Sequence, residues 1–61
     1  MIEKSYEYYG YLIEIHQHPI YHDFEFVIKT KDGSKVISTS NHFYDYFQDA
    51  ENEAKLIVNN L

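Results

Sequence analysis

The densest group of potentially reactive side chains is His16-Gln17-His18-Pro19-Ile20-Tyr21-His22-Asp23. Three imidazoles and a carboxylate fall within eight residues. Zinc, copper and nickel take nitrogen and oxygen ligands of this kind. On an extended strand His16 and His18 share a face, and His22 and Asp23 could return across the loop. His16, His18, His22 and Asp23 are therefore the candidate metal ligands. The spacing matches no zinc motif in particular, and Pro19 disfavours strand pairing around His18. The plainer alternative is a polar loop whose imidazoles are solvated.

Ser38, Ser40, His42 and Asp45 supply a hydroxyl, an imidazole and a carboxylate, the ingredients of a nucleophilic triad. No motif surrounds them, and such chemistry needs a cleft that a sheet with one helix offers poorly. The expectation is a non-enzyme with no cofactor.

The tyrosine-rich start, Ser5-Tyr6-Glu7-Tyr8-Tyr9, is the remaining candidate. On a strand Tyr6 and Tyr8 share one face, and Glu7 and Tyr9 the other. Tyr6 and Tyr8 are expected to complete a small core with their hydroxyls reaching water. Tyr9 is a candidate contact residue, because exposed Tyr brings large area and a polar tip at low entropic cost. Aromatic strands also serve as stacking platforms for single-stranded nucleic acid, but those sites lie in basic grooves. Here ten acidic residues face five lysines and no arginine, a formal net charge of −5. That balance argues against a phosphate-backbone binder. It keeps a small protein soluble and permits a basic partner.

The elements that must position these residues begin with a central hairpin. Phe24, Phe26, Ile28 and Thr30 alternate with Glu25, Val27, Lys29 and Lys31, the period of a strand with one buried face. Asp32-Gly33 then reads as a two-residue type I′ turn, which needs positive φ at both positions. Lys35 to Thr39 returns as a strand rich in β-branched residues. Upstream, Tyr11-Leu12-Ile13-Glu14-Ile15-His16 alternates again, with Tyr11, Ile13 and Ile15 toward the core. Gly10 marks a bulge or tight bend before it. Met1 to Lys4 is expected to be a loose end.

The last segment carries apolar residues Ala50, Ala54, Ile57, Val58 and Leu61 on one helical face, extended upstream by Phe47. Asp45 with Gln48 three residues on fits a capping box, and Asp49 is a rival N-cap. Residues 1–61 thus form one small α+β domain. Its sheet is an antiparallel meander of three to four strands, with one C-terminal helix on one face (β-β-β-α, with a short first strand). The expected core is Tyr11, Ile13, Ile15, Phe24, Phe26, Ile28, Val36, Ala50, Ala54, Ile57, Val58 and Leu61. Leu12 and Val27 lie on the uncovered face and join Tyr9 as candidate interface residues. No cysteine is present, so no disulfide or thiolate metal site is available. No apolar run approaches a membrane span, and MIEKSYEYYG lacks a signal peptide's basic start and apolar stretch. A cytoplasmic chain is the expectation.

Tyr8-Tyr9-Gly10-Tyr11-Leu12-Ile13, Phe24-x-Phe26-x-Ile28 up to Asp32-Gly33, and Ala50-Glu51 to Ala54-Lys55 together resemble a recurring bacterial pattern. It is that of small β-meander-plus-helix domains of unknown function. The resemblance implies the fold and a bacterial setting, and no site. The His-rich loop and the many tyrosines depart from that pattern. The leading functional expectation is a small protein-interaction module, with self-association through a sheet edge or the uncovered face as one form. A metal- or small-ligand-binding protein is the second. An acidic inhibitor that occupies a basic nucleic-acid groove is the third, and it requires the acids to gather on one surface.

Overall fold

The computed structural model describes residues 1–61. Strands β1 (Ile2–Tyr8), β2 (Tyr11–Gln17), β3 (Phe24–Thr30) and β4 (Val36–Thr39) form one antiparallel sheet in sequential order, followed by helix α1 (Phe47–Asn59). The expected α+β meander with a C-terminal helix is the observed architecture. The first strand is longer than its composition suggests. Instead of a loose end, Ile2 pairs with His16 and Lys4 with Ile15, across an irregularity at Glu3.

The tight bend at Gly10, one of the two alternatives there, is what forms, and it is this turn rather than Asp32-Gly33 that is type I′. Tyr9 (φ +48°) and Gly10 (φ +85°) both occupy the left-handed region between the paired residues Tyr8 and Tyr11. They form the two-residue type I′ connection, whose twist matches that of the strands. Asp32-Gly33 does not. Only Gly33 has positive φ there, at +78°. The Gly33 N–H donates to the Thr30 carbonyl, and the Thr30 N–H to the Lys35 carbonyl, so Lys31–Ser34 form a longer loop. Asp32 accepts bonds from the Ser34 N–H, the Ser34 hydroxyl and the Thr30 hydroxyl. Its side chain builds that loop by a local Asx-type turn, so it needs no left-handed backbone itself.

The core is Ile13, Ile15, Phe26 and Ile28 from β2 and β3, against Ala50, Ala54 and Val58 of α1. Small side chains at positions 50 and 54 let the helix lie close over β2 and β3, the strands it packs on. Tyr11, Phe24 and Ile57 are half-buried at the rim of this cluster. Two expected core residues are not in it. Val36 is 59% exposed, because a bulge at Ile37 pairs Val36 with Lys29 and turns it to the outer face. Leu61 is 61% exposed, because the helix ends at Asn59.

Neither Asp45 nor Asp49 caps the helix. Tyr46 is the N-cap and makes no side-chain bond, while Asp49 sits inside the first turn. The start is set by tertiary anchors on either side. The Tyr44 N–H and carbonyl bridge to Phe24, and the Phe47 ring meets the Phe24 ring edge-to-face at 5.9 Å. Such anchors outweigh a capping preference of about 1 kcal/mol.

Candidate interaction surface

The histidine loop is shaped by its own backbone bonds and by the His18 ring. His18 Nδ1 accepts from the Ile20 and Tyr21 N–H groups, both at 3.2 Å. That role places the neutral ring's proton on Nε2. The His22 N–H donates to the His18 carbonyl, and the His18 N–H to the Asp23 carbonyl. His22 itself holds a left-handed backbone, φ +62°. His16 lies apart on the outer sheet face, with its Nε2 3.0 Å from Glu14. One Asp23 carboxylate oxygen is buried without a partner. His16, His18, His22 and Asp23 are not brought together, and no group of three His, Asp or Glu side chains is placed to hold a metal ion.

What His18 does gather is aromatic. Its ring lies 5.0 Å from the Tyr21 ring and 6.0 Å from that of Phe43, edge-on to the latter. Tyr21 is 77% exposed, Ile20 72% and Phe43 49%. Two loops thus meet at one end of the sheet, where the exposed Tyr21 and Phe43 rings flank one imidazole and exposed Ile20 lies next to Tyr21 in the chain. Large apolar side chains left in water singly are ordinary, whereas a joined set marks a contact site. Phe43 carried no sequence signal. Its position depends on the Phe24–Tyr44 bridge, which draws the chain after β4 alongside the histidine loop.

Beside this patch a groove of about 550 Å³ opens between β4 and α1. The helix covers β2 and β3, so the inner side of β4 is left bare. Ser38 and Ser40 line one wall, Glu53 and Ile57 the other, over Phe26 and Tyr44. His42 closes the end, its ring 4.3 Å from that of Tyr44. Burial pushes the Tyr44 phenol above its ordinary range, and the nearby Glu53 and Asp49 carboxylates add to that. Three members of the imagined triad therefore border one groove, but they are not wired as one. The Ser40 hydroxyl accepts from the Phe26 N–H, and His42 Nδ1 sits 2.8 Å from the Asn41 side chain. Asp45 is exposed and is not among the groove residues.

No family model, curated protein or solved structure matches the chain.

The uncovered sheet face is less apolar than Leu12 and Val27 suggest. Glu14 bonds Lys29 at 3.0 Å as well as His16. Leu12 pairs with Lys29 and Glu14 with Val27, so this ion pair lies across the Leu12–Val27 diagonal. Burial raises the cost of charging Glu14, yet the bonds from His16 and Lys29 prevail and hold its carboxyl below the usual range. Both apolar residues are half-buried. Tyr9 stands alone at the opposite tip, 79% exposed with its ring edge-on to Tyr8 at 4.7 Å. Its left-handed backbone suits Asn or Gly better, so folding alone does not explain an aromatic residue there.

A second buried carboxylate joins the sheet edge to the helix. Glu51 accepts from the Tyr6 hydroxyl at 2.8 Å and from Lys4 at 3.1 Å. Lys4 and Lys55 also lie over the Tyr6 ring, at 4.9 and 5.8 Å. This seam is structural: it fastens β1 to α1. The carboxylates as a whole divide between the two faces, with Glu7, Glu14 and Glu51 paired to lysines. They do not gather on the single surface that a nucleic-acid mimic would need.

Proposed function

We propose that this chain is a small non-enzymatic protein-interaction module, working through the loop end of its sheet. The observation that carries this reading is the pair of exposed aromatic rings, Tyr21 and Phe43, gathered about His18 from two loops, with exposed Ile20 next in the chain. Aromatic side chains with polar surroundings are the enriched anchors of protein interfaces. Two independent loops converge to form the patch, and His18 spends its ring nitrogen on holding one of them in shape. Tyr9 is a second, separate contact at the other end.

The test compares the tagged wild-type chain with a Tyr21→Ser, Phe43→Ser variant. Both residues are exposed, so circular dichroism and melting are expected to match. The wild type retains a protein partner, identified by mass spectrometry, that the variant loses. Sedimentation of the purified chain tells whether a second copy is that partner. Identical retention by both chains at matched fold would overturn the assignment of the surface.

A further inference from the structure

The open strand beside the groove has the features of an unfilled place in the sheet. Ser38 of β4 pairs with Ile28, and Ser40, just past the strand, donates its N–H to the Phe26 carbonyl. Bonded and non-bonded pairs alternate in an antiparallel ladder, so Thr39, opposite Val27, turns its N–H and carbonyl outward. That edge is uncovered. Ser38 shares the inner face with Ile28, and a strand added alongside would send alternate side chains onto the same inner face. There they would meet the helix wall of the groove, which Glu53 and Ile57 form. Asp49 lies one turn before Glu53 on the same helix row. Neither carboxylate has a lysine partner, and none of the five lysines lines the groove.

We infer that the free edge of β4 accepts an extended basic segment of a partner protein as a fifth strand, with a Lys or Arg side chain lying in the groove. The inference rests on the interaction-module reading and gives it a partner chemistry. Main-chain bonds to Thr39 supply the docking, as in other strand-addition complexes, and the groove supplies selectivity. The aliphatic stem of the cation covers Tyr44 and Ile57, and its head reaches Glu53 and Asp49. A basic side chain over an aromatic face gains further from the ring. Charge decides against the simplest rival occupant. A second copy adding its own β4 would bring the same carboxylates into opposition, whereas the net charge of −5 attracts a basic chain.

The test titrates the full-length ¹⁵N-labelled chain with a synthetic peptide alternating lysine and threonine, and with its glutamate–threonine counterpart. The lysine peptide is expected to bind with a Kd of about 1 mM or tighter, moving the amides of Thr39, His42, Tyr44 and Glu53. The glutamate peptide binds at least about tenfold more weakly. Glu53→Lys reverses that preference. Thr39→Pro, tolerated on an edge strand, abolishes binding of both peptides by removing the outward N–H. Equal binding of the two peptides, shifts confined to other residues, or no shifts at all would overturn the inference. Partner capture by the wild-type chain that survives Glu53→Lys but not Tyr21→Ser, Phe43→Ser would remove this inference and leave the patch reading standing. Capture insensitive to both variants removes the two together.

Discussion

Tyr6→Phe deletes one hydroxyl and leaves the ring, so it isolates a single bond to a buried carboxylate. Glu51 is 7% exposed and takes that hydroxyl at 2.8 Å. A hydrogen bond to a charged group contributes about 1.5–3 kcal/mol. Lys4 still holds the carboxylate in the variant, which places the expected loss near the lower bound, about 1.5 kcal/mol. For a domain of this size that lowers Tm by roughly 6–12 °C. In urea it lowers the midpoint by about 1.5 M, at a slope of about 1 kcal/mol per M. The pH dependence gives a second readout. Burial pushes the Glu51 carboxyl up, but the Tyr6 and Lys4 bonds and the Lys55 charge prevail and hold it below its ordinary value of 4.5. A carboxyl depressed on folding stabilises the protein above its unfolded pKa, and that contribution is lost as pH falls through the folded value. Without the Tyr6 hydroxyl the burial penalty is less well opposed, so Glu51 titrates higher and the variant unfolds at higher pH. The gap between the two chains is constant from pH 7 to about 5 and narrows below that. Urea unfolding followed by circular dichroism from pH 7 to pH 2.5 measures both effects. A loss under about 0.5 kcal/mol at pH 7, or a gap that does not change with acid, would refute the account.

Three further outcomes follow from the fold. Phe26→Ala removes a fully buried ring and costs about 3–5 kcal/mol, enough to unfold a chain this short at 25 °C, whereas Val36→Ala changes stability by less than about 0.5 kcal/mol; thermal melts of the pair check both. Gly10→Ala meets no atom within 4 Å of the added methyl, so its expected cost of about 1 kcal/mol is backbone strain at φ +85° alone, and Gly10→Asn recovers part of it. Asp32 is held at a pKa of about 2 by the Ser34 N–H first, then by the Thr30 and Ser34 hydroxyls, so a side-chain NMR titration finds its midpoint there, and Ser34→Ala moves it toward 3.8.

Residue alternation made β2 and β3 legible, β-branched composition made β4 legible, and the helical stripe made α1 legible, because all three signals are local. Turn type was less so. Asp-Gly announces a turn, but here the Asp32 carboxylate closes a longer loop on Thr30 and Ser34. Tyr9 takes the left-handed backbone that its residue type does not advertise. In sequence Glu51 is simply one more acid of the helix. Its burial depends on Tyr6 and Lys4, 45 and 47 residues away in the chain, and no window of sequence contains that. The histidine cluster shows the converse failure. Its spacing was conspicuous, yet His16 bonds Glu14 on one sheet face while His18 shapes a loop beyond the strand end. Proximity in sequence did not become proximity of ring nitrogens. Phe43 and the groove were invisible for the same reason as Glu51, since both depend on where the chain returns after β4.

The position of one helix connects these results. A thirteen-residue α1 lies over the central strands β2 and β3, and a four-stranded sheet leaves one strand over on each side. On the β1 side the gap is closed by charge: Glu51 enters the seam, and Lys4, Lys55 and Tyr6 surround it. On the β4 side no equivalent residue crosses. Ser38 and Ser40 are too short to reach the helix, and Glu53 faces them with no lysine. The same helix thus seals one edge and exposes the other, with its acidic row turned toward the exposed one. A cation supplied in trans would repeat at β4 what Lys4 does at β1. If that parallel holds, a lysine introduced on β4 itself, Ser38→Lys, should pair with Glu53, raise stability by up to about 1 kcal/mol and weaken the lysine peptide. A variant that still bound the peptide as the wild type does, with the introduced ammonium ordered against Glu53, would break it.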